Sequence, residues 1–154
     1  MSSKLLDDML ADIKGAMKNR ENEKLTALRT LHAQIKDATT NAGKEVSDDE
    51  VAVIIAKAIK QRLDAAEQFK QCARQELVDK ELMEAELFKK YQPQQLTQAE
   101  IEELVRKAIA ETGASGRKEM GKVMTVLMSQ VKGRADGKLV NQVVQALLTP
   151  QAPA

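Results

Sequence analysis

The 154-residue chain is 43% hydrophobic, 31% charged and 2% aromatic, enough for one domain or two small ones and too little for a large multidomain enzyme. Its 24 Lys and Arg against 23 Asp and Glu leave a formal charge of +1, so no whole-molecule field draws it onto a polyanion and any nucleic-acid site has to be local. One Cys and one His allow neither an internal disulfide nor a Cys/His zinc site, which predicts a reducing cytoplasm, no metal and no other cofactor.

Three Pro and seven Gly are too few for a fold built on many hairpins, whereas Ala, Leu, Lys, Glu and Gln lose little on entering a helix. The predicted fold class is all-α: an N-terminal bundle of long helices followed by a small three-helix domain. Lys4, Asp7, Asp8 and Asp12 interrupt the one stretch where a signal peptide could lie, and no apolar run approaches the ~18 residues of a membrane span. A soluble cytoplasmic protein without a membrane partner is expected.

Leu6, Met9, Leu10, Ile13 and Met17 recur at spacings of three and four, predicting a helix over 3–19. Asn22 is the expected cap of a second helix carrying Leu25, Leu28, Leu31 and Ile35, which Asn41 and Gly43 end. Ser47-Asp48-Asp49-Glu50 is a capping box, in which the hydroxyl and the carboxylate three residues on satisfy two orphan amides. The long helix after it carries Val51, Ile55, Ile59 and Phe69, weakens in period near 72–75, and resumes with Leu77, Leu82 and Phe88 until Tyr91-Gln92-Pro93 stops it. The first domain is therefore 1–93.

Thr97-Gln98-Ala99-Glu100 is a second capping box and opens the second domain, 97–149. Ile101, Val105 and Ala108 line its first helix up to Gly113; Ser115 is the expected cap of a second, with Val123, Leu127 and Val131, closed by Gly133. Asp136 caps the last, with Val140, Val143 and Leu147, and 150–154 reads as a frayed tail. From Gly113 onward six basic residues face two acidic ones, an uneven distribution that hints at an anionic partner for this end.

Gly116 to Lys122 superficially fits P-loop spacing, but Val123 stands where a Ser or Thr must hold Mg²⁺, and Met120, Val123 and Met124 run a helical stripe through the supposed loop. Gly121, costly inside a helix, needs a close neighbour, either another helix or a nucleic-acid backbone. Lys132, Gly133, Arg134 and Lys138 surround a basic turn at a helix start. Either they hold phosphate there, or Asp136 occupies the amides and the cations are a solvated rim. His32 has no second catalytic group beside it, Cys72 reads as a small hydrophobe, and the Glu clusters at 81–86 and 102–103 are solvated helix faces. No catalytic constellation emerges, and with Phe69, Phe88 and Tyr91 all in the first domain, an RNA would be gripped by its phosphates and shape, which means a structured RNA.

Thr112-Gly113-Ala114-Ser115, Met120-Gly121-Lys122-Val123-Met124 and Lys132-Gly133-Arg134-Ala135-Asp136-Gly137-Lys138-Leu139-Val140-Asn141 resemble the signature of the GatB/YqeY family, and Lys60-Gln61-Arg62, Leu77 to Glu81 and Tyr91 with Pro93 resemble its stand-alone YqeY-like members. Gln92 departs from the usual leucine, and Ser129 from a frequent proline. The resemblance implies a helical front domain and a helical tail, the pair that ends the B subunit of the aspartyl/glutamyl-tRNA amidotransferase, where the tail holds tRNA. A related tail is appended to some glutaminyl-tRNA synthetases. It implies Gly121, Lys122, Lys132, Gly133, Arg134 and Lys138 as an RNA-facing surface, tRNA as partner, and an aminoacyl-tRNA synthetase or amidotransferase beside it. It names no catalytic residue: carbon–nitrogen ligase chemistry with glutamine as amide donor would belong to a larger complex. The rival expectation is a helical protein–protein adapter acting through the first domain.

Overall fold

A computed structural model describes residues 3–148. Among these residues every regular element is helical, as the composition predicts, and none of the helices is long and apolar enough to cross a membrane. The chain divides into two compact units, Met1–Pro93 and Gln94–Ala154; the tail expected over 150–154 lies outside the described residues.

The first unit holds α1 (Lys4–Lys18), α2 (Asn22–Ala42), α3 (Asp48–Gln71) and α4 (Gln75–Lys89). Ser3 caps α1, accepting from the Leu6 amide, and its hydroxyl donates to Asp48 in the first turn of α3. Asn22 does not cap α2: it is the first helical residue, and Glu21 occupies the cap position without a side-chain bond. The Ser47 box forms in full, with the Glu50 amide 3.2 Å from the Ser47 hydroxyl and the Ser47 amide 2.8 Å from the Glu50 carboxylate, which draws that carboxyl below its usual range.

The single long helix expected after Ser47 is two. The chain reverses at Cys72–Arg74, where Ala73 takes φ +54°, and α4 returns along α3. Arg62 Nε donates to Glu84 at 2.7 Å and lies 3.7 Å from Glu81, with its guanidinium 5.6 Å from the Phe88 ring centre. The weakened period near 72–75 was the trace of this turn, and Cys72, expected as a small hydrophobe, is exposed in it. Leu28, Leu31 and Ile35 of α2, Val51 and Ile55 of α3, Phe88 of α4 and Met9 of α1 form a fully buried core. Buried Tyr91 ends the unit: its hydroxyl donates to Asp12 at 2.5 Å, beside Lys90 at 2.9 Å. These two bonds hold the Asp12 carboxyl below its ordinary range, Tyr91 contributing most, while burial and the Asp12 charge push the phenol well up.

The second unit packs α5 (Gln98–Thr112), α6 (Met120–Val131) and α7 (Gly137–Leu148) around Ile101, Val105, Val123, Leu127, Val140 and Val144, all fully buried. Thr97 and Glu100 make the second capping box, and Gly113 ends α5 at φ +67°. Ser115 is not the cap of the next helix. A 3-10 turn at Arg117–Glu119 precedes α6, and the Glu119 carboxylate takes the Ser115 amide at 2.5 Å, so the carboxylate of a later residue does the work expected of the hydroxyl. Residues 94–96, expected as linker, belong to this unit: the Leu96 amide donates to the Arg134 carbonyl at 2.8 Å and the Gln95 side chain to the Gly133 carbonyl at 3.1 Å.

Candidate nucleic-acid interface

The six residues of the expected surface fall in three different places. Lys132, Arg134 and Lys138 surround the turn between α6 and α7, and all three are exposed. Lys122 is exposed in the first turn of α6 with Gly121 beside it, ten residues before Lys132 and so about 15 Å away along the helix. The cations therefore form two groups, one at each end of α6. Gly133 is buried; at φ +75° it sits where glycine alone turns at low cost, so it shapes the turn and presents no surface to a ligand.

Gly121 has open space around it, with nothing within 4 Å of where a Cβ would stand. Of the two neighbours the sequence allowed, a packed helix is thus removed among the described residues. At the turn, the Asp136 carboxylate accepts from the Lys138 amide at 3.0 Å, so one amide of the α7 N-terminus is already occupied by the cap. Arg134 reaches the Gln94 carbonyl through Nε at 3.4 Å, a contact that steadies the guanidinium while leaving the side chain exposed. Beside Lys122, the Glu119 carboxyl is held below its usual range, first by the Ser115 amide and also by the Lys122 charge. Most acidic residues of this unit, Glu100, Glu102, Glu103 and Glu111, belong to α5.

The P-loop-like stretch is the 3-10 turn and the start of α6, with Val123 fully buried. His32 is half-buried on α2. Among the Glu clusters, Glu84 is buried against Arg62 rather than solvated. Among the described residues no three His, Cys, Asp or Glu side chains gather to hold a metal ion. A hollow of about 310 Å³ between the start of α2 and α4 is lined by Asn22, Glu23, Thr26, Lys80, Met83 and Glu84, and brings no nucleophile to a base.

Thr125, and Ser129, which the sequence marks only as a departure from a frequent proline, share the α6 surface. Thr125 and Ser129 are exposed between the two cationic ends, their hydroxyls donating to the carbonyls of Gly121 at 2.8 Å and Val126 at 3.1 Å. The signal was present as spacing: 122, 125, 129 and 132 recur at three and four residues on the face opposite Leu127.

The family model described as Yqey-like protein matches residues 6–148. The protein named "Altered inheritance of mitochondria protein 41, mitochondrial" of Pyrenophora tritici-repentis (strain Pt-1C-BFP) is 31% identical over 147 residues, covering 94% of this chain and 81% of its own length. The protein of the same name from Clavispora lusitaniae (strain ATCC 42720) is 33% identical over 87 residues, 56% of this chain and 51% of its own. Since the match runs from within α1 to the last residue of α7 and takes in both helical units, the chain belongs to the YqeY-like protein family.

Proposed function

We propose that the protein is a cytoplasmic tRNA-binding accessory of tRNA-dependent amidation or aminoacylation, with no chemistry of its own, that presents RNA to a separate synthetase or amidotransferase. The observation that carries this reading is the exposed basic turn of Lys132, Arg134 and Lys138, with Lys122 at the far end of α6, in a unit whose acidic residues lie mainly on α5. The likeness of its motifs to the tail of the amidotransferase B subunit supports tRNA as the RNA. Exposed Cys72 fits a reducing compartment, and both relatives carry the word mitochondrial in their names.

Mobility shifts with tRNA test the proposal. Phosphate contacts predict binding that weakens steeply with salt, and changing Lys122, Lys132, Arg134 and Lys138 together to Glu is expected to abolish the shift with helicity unchanged. A quadruple variant that binds like the unaltered protein would remove the second unit from consideration. No shift with the unaltered protein at low salt would leave the adapter reading, which rests on Leu10 and Met17 of α1, 39% and 54% exposed in the first unit.

A further inference from the structure

The two cationic ends of α6 and the hydroxyls between them make one surface. Lys122, Thr125, Ser129 and Lys132 fall within about 80° of the helix circumference, diametrically opposite Val123, Leu127 and Val131, which are buried in the core. The ridge thus runs cation, hydroxyl, hydroxyl, cation over about 15 Å, with Gly121 adding bare backbone beside Lys122. No residue from 122 to 132 is acidic, Glu119 lying beside Lys122 just before the ridge begins, and no side chain between the cations is longer than the flanking Met128 and Gln130.

The state of the hydroxyls selects the ligand. Thr125 and Ser129 spend their protons on the carbonyls of Gly121 and Val126, so what each presents outward is an oxygen with free lone pairs. In this state the oxygens meet a ligand as acceptors rather than as donors to phosphate. A partner for this ridge therefore carries negative charge at two places about 15 Å apart and hydrogen-bond donors in the interval.

Double-helical RNA has that layout. Its wide, shallow minor groove displays ribose 2′-hydroxyls, which can donate, between the phosphates of its two strands. DNA lacks these 2′-hydroxyls, and the donor left in its minor groove is the amino group of guanine. Resting on the proposed role in tRNA binding, we infer that the solvent face of α6 lies across the minor groove of an A-form RNA duplex, with Lys122 and Lys132 on phosphates of opposite strands and Thr125 and Ser129 accepting from 2′-hydroxyls between them. Lys138 and Arg134 extend the phosphate contacts past Lys132, and the absence of aromatic residues from this unit is no handicap, since the bases stay stacked and paired.

The test measures binding of the full chain to a blunt RNA duplex of about 16 base pairs, the DNA duplex of the same sequence, one RNA strand alone, and tRNA. The expected order places the RNA duplex and tRNA above the DNA duplex and the single strand. Thr125→Ala and Ser129→Ala are each expected to weaken RNA-duplex binding about fivefold and to leave DNA binding unchanged. Lys122→Ala and Lys132→Ala are each expected to lower the slope of log affinity against log salt by about one on either duplex. All four side chains are exposed, and circular dichroism checks that each variant keeps its helices. Equal binding of the RNA and DNA duplexes, or hydroxyl variants that bind RNA unchanged, would overturn the minor-groove inference while tRNA binding through Lys132, Arg134 and Lys138 still stood. Failure of the unaltered protein to bind tRNA at low salt would overturn both.

Discussion

Replacing Arg62 by Ala tests the reversal of the chain at Cys72–Arg74. In one uninterrupted helix, residues 62 and 84 would be about 33 Å apart; in the hairpin their charged groups meet at 2.7 Å. Arg62, Glu81 and Glu84 keep 18%, 19% and 12% of their side-chain surface, so water reaches the cluster but does not fill it. Removing one partner of a fully buried pair costs about 3–5 kcal/mol, chiefly by stranding the other charge. Residual solvation lowers this cost, and the loss of the guanidinium from beside the Phe88 ring adds to it. The expected destabilisation is about 3 kcal/mol, which at a urea dependence of about 1.5 kcal/mol per molar moves the midpoint down by about 2 M.

The control replaces both charges with apolar groups of similar volume. Arg62→Met combined with Glu84→Leu is expected to fall within about 1 kcal/mol of the unaltered protein, because the one charge left without Arg62, that of Glu81, keeps 19% of its side-chain surface in water. Urea titrations followed by helical ellipticity supply both numbers. If Arg62→Ala shifts the midpoint by less than the error of the titration, or if the double variant loses as much as the single ones added together, the two residues do not meet as described.

Two further outcomes follow from the same geometry. Tyr91→Phe removes the bond that most lowers the Asp12 carboxyl; a depressed carboxylate stabilises above its unfolded value, near 3.8, and loses that contribution as pH falls through the lower folded value. The variant should therefore have a lower urea midpoint than the unaltered protein at pH 7 and approach it at pH 2, and a pH-independent gap would refute the assignment. Gly121→Ala places a methyl group in open space in the first turn of α6 and should raise stability by about 0.5 kcal/mol, read as a higher thermal midpoint; a lower midpoint would mean that something does pack there.

The elements that could be read from the sequence are those whose instructions are local. Ser47 with Glu50 and Thr97 with Glu100 announce their helices because the hydroxyl, the carboxylate and the two amides all lie within four residues. Gly43 and Gly113 end helices because the left-handed cap needs no partner from elsewhere. The reversal at Cys72–Arg74 has no such marker. Gln71 to Gln75 contains neither Gly nor Pro, and Ala73 is held at positive φ by what the reversal achieves, namely setting α4 against α3 with Arg62 between Glu81 and Glu84. The weakened period near 72–75 marks the place of the break, but pairing at that separation along the chain is not written in helical period, so the reversal itself goes unsignalled. Gly133 and Gly121 show the same division within the candidate site. Both looked like surface residues of a basic segment, but one is spent on a turn and the other lies open, a difference set by φ and packing rather than by neighbours in sequence.

The aromatic residues decide what kind of recognition the second unit can perform. Of the two Phe and one Tyr in the chain, Phe88 is fully buried, Tyr91 is buried with its hydroxyl committed to Asp12, and Phe69 is half-buried on α3. All belong to the first unit. The second unit can offer an RNA ammonium and guanidinium groups, hydroxyl oxygens and bare backbone, but no ring on which to stack an unpaired base. Those groups sense charge and the spacing of sugars and phosphates, which change little with base sequence. A protein that holds RNA in this way distinguishes folded RNA from single strands better than it distinguishes one tRNA from another. Under the proposed function, the choice among tRNAs then falls to the enzyme to which the RNA is presented.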